Sequence, residues 1–142
     1  MSEISRSAAS IRFYGPDLDP EMLSQLLGAS PTRSGRKGEP QSGSDGDDSR
    51  TNRTGFWLID YGEPDETDLE EKVESLLRKL TDNLEIWQEI TAAYQVDVFC
   101  GLFLDGWNEG FELSPELMKK LADRGLPIGF DIYSPTDSWE NN

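Results

Sequence analysis

A chain of 142 residues with 28 acidic side chains against 13 Lys plus Arg carries a formal net charge of -15 and a pI of about 4.2. That length holds one domain with a substantial core, and that charge repels nucleic acid and anionic membranes while drawing in basic partners. With no histidine and one cysteine, the chain lacks the commonest general base and cannot build a tetrahedral zinc site.

The opening MSEISRSAASIRFYG has no apolar signal core, and no later run approaches the roughly 18 apolar residues of a membrane span. A cytoplasmic, reducing setting is therefore expected. Residues 8–14 read as a first strand, with Ile11 and Phe13 alternating with Arg12, and Gly15 and Pro16 end it. Asp19, Pro20 and Glu21 then supply an N-cap acceptor, a preset φ and an acid at the positive helix end. The helix spans 20–27 on a stripe of Met22, Leu23, Leu26 and Leu27, with Gly28 as a left-handed stop.

Residues 29–54 contain a single apolar side chain, Ala29, so burial cannot offset the entropy of ordering them. A flexible polar loop is expected there, part of it folding its cations back onto the acidic body. Asp45, Asp47 and Asp48 lack the ligand spacing and closing Glu of a calcium loop, and the ordinary reading is a solvated linker. Gly35-Arg36-Lys37-Gly38 has the composition of an anion nest without a following helix, and reads as an exposed turn.

Residues 55–61, GFWLIDY, form a buried, aromatic second strand. The longest helical pattern follows, with Thr67 and Glu70 as a candidate capping box and Leu69, Val73, Leu76, Leu77 and Leu80 as its stripe. Thr81-Asp82-Asn83 is poor helix material, so a kink or restart is expected, with Asp82 and Glu85 as a second box. Leu84, Trp87 and Ile90 continue the stripe to Tyr94. Residues 95–104 alternate with apolar groups on both faces, which predicts a central strand. Cys100 lies inside it as a small buried hydrophobe. After the Asp105-Gly106 turn a short strand is expected at 111–113. A helix then starts at Ser114-Pro115-Glu116, with Leu113 and Met118 as a hydrophobic staple, and Gly125 stops it. Residues 126–133 make the last strand, with Ile132 toward the core, and 135–142 a polar tail.

These elements predict an α+β fold, a single two-layer domain over 1–142. Its mixed or largely antiparallel sheet of four to five strands packs about three helices in the order β-α-β-α-β-β-α-β. DPEMLSQLLG and SPELMKKLAD share a grammar that hints at two equivalent halves, although such helix starts are common.

The excess negative charge is concentrated: residues 56–142 hold 20 of the 28 acids but only 6 of the 13 cations. Glu63, Asp65, Glu66, Asp68, Glu70, Glu71 and Glu74 place seven acids in twelve residues, more than a helix N-terminus needs. With Trp107 and Glu109 in the turn before the last helix, they form the candidate partner-binding set. Trp57 and Trp87 belong to the core, while Trp107 and Trp139 are candidate contact residues. Glu109 and Glu112 as a glycosidase-type pair carry little information among 28 acids.

The order of these segments resembles a family of small bacterial proteins known as domain of unknown function 4279. The resemblance rests on the early strand and GPDLDPEMLSQLLG, ASPT and RKGE, GFWLIDYG, the long apolar helix, and LSPELMKKLADRGLPIGFDIY, from Ile11 to Tyr133. It implies an α+β scaffold and, since the family has no established activity, supplies no catalytic residue. The expected function is a non-enzymatic, cytoplasmic binding protein of the immunity type that masks a basic protein, without cofactor or metal. Two alternatives are a DNA-mimic inhibitor with carboxylates along one face, and an enzyme acting on an anionic small molecule through Asp131 and Tyr133.

Overall fold

The computed structural model describes residues 2–41 and 50–135, with side chains from Ile4 onward. The acids at 45, 47 and 48, Trp139 and nearly all of the tail lie outside the described residues. In chain order the elements are β1 (Ser2–Glu3), β2 (Arg6–Gly15), α1 (Pro20–Leu27), β3 (Arg33–Gly35), β4 (Gly55–Asp60), α2 (Leu69–Arg78), α3 (Leu84–Ala93), β5 (Gln95–Phe103), β6 (Glu109–Gly110), α4 (Pro115–Arg124) and β7 (Ile128–Tyr133).

Alternation makes β2 the pivot of the sheet. Ser7, Ala9, Ile11, Phe13 and Gly15 are buried, and the residues between them are not. On one side β4 pairs antiparallel, setting Trp57 opposite Phe13 and Ile59 opposite Ile11. On the other β5 pairs antiparallel, setting Val98 opposite Ile11 and Cys100 opposite Ala9. β3 joins β4 antiparallel and β7 joins β5 parallel, so the sheet is five-stranded and mixed in the order β3-β4-β2-β5-β7. β1 and β6 pair parallel in a separate two-stranded ribbon, replacing the strand expected at 111–113.

The helices form one layer. Leu23 and Leu27 of α1, Val73 and Leu76 of α2, Trp87 and Ile90 of α3, and Leu117 and Leu121 of α4 join a single core with Ile11, Phe13, Val98 and Leu102. Phe13 anchors it between Trp57, edge-on at 5.2 Å, and Trp87, stacked at 6.0 Å. Such pairs add about 0.5–1.5 kcal/mol each beyond the area they bury. Both buried indoles find acceptors, Trp57 Nε1 donating to Ser24 Oγ at 3.0 Å and Trp87 Nε1 to the Thr81 carbonyl at 2.7 Å.

Helix punctuation follows the sequence at α1 and α4. Asp19 accepts from the N–H groups of Glu21 and Met22, Ser114 accepts from that of Leu117, and Gly28 and Gly125 close the helices at φ 71° and 73°. The shared grammar does not make equivalent halves. α1 leads from β2 into β3, which lies two places away across β4, whereas α4 leads into β7, paired directly with β5. The break between α2 and α3 falls where expected, but the caps are Asp68 and Asn83, not Thr67 and Asp82. With Asp68 as the cap, Glu70 stands at the second helical position, one short of where a box closes, and its carboxylate accepts from the Ser114 N–H at 2.6 Å. Met118 is half-exposed.

Within the segment read as a polar loop, Arg33–Gly35 form β3, and the Gly38 and Asn52 N–H groups bond the carbonyls of Asn52 and Glu39. Arg36 folds back onto α1, pairing with Asp19 at 3.0 Å and with Glu21. Among the described residues, no second layer covers the sheet face away from the helices. There Arg12 forms a two-pronged pair with Asp97, at 2.9 and 2.7 Å, and lies 4.3 Å over the ring of Phe99. Arg6 covers Phe103 in the same way at 5.5 Å. β5 is thus interior to the sheet, with arginine stems covering its second apolar face.

Candidate functional site

The acidic run at the start of α2 is largely engaged with the protein's own cations and N–H groups. Lys72 is fully buried, and its ammonium sits 2.8 Å from Asp65, against the Ser7 carbonyl, and 5.5 Å over the Tyr61 ring. A buried ammonium must be paired in this way, because the charge is costly to desolvate. The hydrogen bond from Lys72 holds the Asp65 carboxyl below its usual range. Asp68 caps α2, Glu71 faces Arg78 at 3.3 Å, and Glu74 pairs with Lys120 of α4 at 2.8 Å. Glu63 and Glu66 remain exposed. Lys72 was missed from sequence, though a signal existed: it lies three residues after Leu69, inside the apolar stripe of α2.

Glu109 is likewise turned inward. It accepts from the Ser5 N–H at 3.0 Å and hydroxyl at 2.9 Å, and from the N–H groups of Asp105 at 3.2 Å and Gly106 at 2.7 Å. Desolvation pushes its carboxyl up, but these hydrogen bonds, led by that of Gly106, outweigh it and hold the carboxyl below its usual range. A glycosidic general acid needs the opposite shift. Trp107, at the tip of the same turn, is 79% exposed.

Asp131 and Tyr133 stand together on the open sheet face, the tyrosine hydroxyl donating to Asp131 Oδ2 at 2.7 Å and the ring stacking on Phe103 at 4.8 Å. That hydrogen bond, with the aspartate charge behind it, raises the phenol pKa, away from what a base at neutral pH requires. Burial pushes the Cys100 thiol up to about 12, which leaves it inert. Among the described residues, no group of three or more Cys, Asp and Glu is placed to hold a metal.

A cleft of about 750 Å³ opens between the N-termini of α2 and α4. Its walls include the carboxylates of Glu66, Asp68, Glu70 and Glu112, so it disfavours an anionic ligand. The GRKG turn offers little anion capture, because Arg36 is committed to Asp19 and Glu21.

What the sequence did not foresee is an apolar strip along β7. Ile128, Phe130 and Ile132 register with Val98, Cys100 and Leu102 and so share the helix-covered face. Phe130 is nevertheless 37% and Ile132 59% exposed, which corrects the expectation that Ile132 meets the core. The reason is cover, since the helix layer reaches β5 and leaves the outer strand open. Phe111 packs its ring 5.1 Å from that of Phe130 and is itself exposed. Leu104 donates to the Tyr133 carbonyl at 3.0 Å, which brings the turn bearing Trp107 to the C-terminal end of β7.

Fold and surface together define a two-layer α+β domain with an anionic body and one apolar sheet margin. The family model of a domain of unknown function (DUF4279) matches residues 2–135, and the chain belongs to that family. No curated protein and no solved structure matches the chain significantly. No helix among the described residues is long and apolar enough to cross a membrane.

Proposed function

We propose that this domain is a non-catalytic protein-binding module, an immunity-type partner that masks a basic protein in the bacterial cytoplasm. The observation that carries this reading is the apolar strip of Phe111, Phe130 and Ile132, with Trp107 near its end, on a chain of net charge -15. Apolar side chains supply binding energy in the dry centre of an interface, and the surrounding negative field accelerates encounter with a basic surface. A DNA mimic needs a free row of carboxylates, whereas Asp65, Glu71 and Glu74 face Lys72, Arg78 and Lys120. Catalysis by Asp131 and Tyr133 has less support, since their mutual hydrogen bond makes the phenol a poorer base.

The test is capture of interacting proteins at low and high salt, with identification of what is retained. The expected partner is basic, and its association rate falls as salt rises while Ile132→Lys abolishes retention. Retention of acidic proteins, or binding indifferent to salt, would overturn the reading.

A further inference from the structure

We infer that the partner of this domain docks by adding an extended basic segment to the free edge of β7 as a sixth strand. This mode rests on the protein-binding reading above. Val98 donates to the Pro127 carbonyl at 2.9 Å and Leu104 to that of Tyr133 at 3.0 Å, which fixes the hydrogen-bonding parity of β7. Gly129, Asp131 and Tyr133 direct their N–H and C=O groups to β5. Ile128, Phe130 and Ile132 therefore direct theirs outward, where no strand pairs with them among the described residues.

An open edge is normally blunted by Lys, by an internal Pro, by a bulge or by being very short. The opposite edge, β3, has three residues and carries Arg33. β7 has six, IGFDIY, with no Lys, Arg or Pro among them. Its outward backbone groups run beside the exposed side chains of Phe130 and Ile132, and strand addition combines main-chain bonds with alternating side-chain contacts in this way. The alternation defines the occupant. Residues of the added strand on the helix side meet Phe130, Ile132 and Phe111, so they are apolar. Those on the other face lie beside the exposed Asp131, so they are Lys or Arg. A second copy of this chain fits less well, because it brings another net charge of -15 and no cation in its own β7.

The probe is a capped peptide of about seven residues alternating Lys and Val, a strand's usual length, beside the same peptide N-methylated along its bonding edge. Binding is followed by fluorescence anisotropy, and amide exchange of the protein by NMR. Addition of the unmodified peptide is expected to slow exchange at Ile128, Phe130 and Ile132 about tenfold or more, the N-methylated peptide to bind at least about tenfold more weakly, and Ile132→Lys to match that loss. Peptide binding without slowed exchange at those amides, or equal binding of the methylated peptide, would overturn the docking mode while leaving a basic partner standing. No binding of the unmodified peptide would overturn the docking mode, while the salt-dependent capture decides the protein-binding reading separately. A free protein that sediments as a dimer with these three amides already protected would assign the edge to a second copy instead. The exchange measurement on the unsubstituted protein decides the matter even if Ile132→Lys unfolds.

Discussion

β5 and β7 are neighbours with similar side chains on the same face, and they have opposite fates. Val98, Cys100 and Leu102 are at most 1% exposed, while Phe130 and Ile132, in register beside them, stand at 37% and 59%. Hydrophobicity does not separate the two strands, but the reach of the helix layer does. The sharpest test is a matched truncation. Leu102→Ala is expected to cost about 2–5 kcal/mol, by lost transfer energy and a cavity that the packed surroundings cannot close. Ile132→Ala is expected to cost less than about 1 kcal/mol, since it uncovers little that is not already wet. Urea midpoints at constant m-value measure both, and equal losses would erase the distinction between the strands.

Next in size is the buried ammonium that joins α2 to β2. Lys72→Met keeps most of the side-chain volume but removes the ammonium's bonds to the Ser7 and Asp65 carbonyls, leaving the Ser7 carbonyl only the Asp65 N–H at 3.3 Å, and hydrogen bonds to a charged group are worth about 1.5–3 kcal/mol. Asp65 adds little to that loss, because it is 53% exposed and water takes over its solvation. The same substitution at Lys119, an exposed lysine of α4, is expected to stay within about 0.5 kcal/mol. A neutral Lys72→Met would show that the ammonium has no structural part on the sealed side.

Local rules carried most of the fold, and relations between distant residues carried the rest. The spans of α1 and α4, their caps and stops, and the alternation of β2 and β5 follow from neighbours in sequence, so DPE, SPE and the glycines gave them away. β3 was hidden because three polar residues gain strand form only by pairing with Leu58, Trp57 and Phe56. The acidic run looked like free surface because one of its cations, Lys120, lies 46 residues from Glu74 and another, Lys72, is hidden in the apolar stripe of α2. The inward bonds of the Glu109 carboxylate were hidden in the same way, since Ser5 is 104 residues away. Burial of a strand depends on what covers it, and nothing in IGFDIY says that the helices stop short of it.

The turn beyond β7 repeats the contrast on a small scale, with Glu109 directed inward and Trp107 outward. Because the folded Glu109 carboxyl titrates below its ordinary value of 4.5, its contribution is fully present above that pH and is lost as pH falls through the folded value. Glu109→Gln is therefore expected to lower the melting temperature at neutral pH, and the gap from the parent protein should close on acidification below about pH 4.5. Comparing the two proteins at each pH removes the acid titration they share, including relief of the general repulsion at net charge -15. A gap that stays constant through that window would mean the ionised carboxylate is not what holds the turn.

Trp107→Ala should have the smallest effect on stability, within about 0.5 kcal/mol, because an indole 79% exposed has little buried area to lose. Its effect on binding is expected to be larger than its effect on folding. Aromatic groups beside an apolar strip gain most of their contact area only when a partner closes over them, and truncating such an anchor costs about 1–2 kcal/mol of affinity. A variant with an unchanged urea midpoint and binding weakened about tenfold would place Trp107 at the interface margin beside β7. If binding is unchanged as well, the contact ends at Tyr133, and the strand edge alone supplies the recognition.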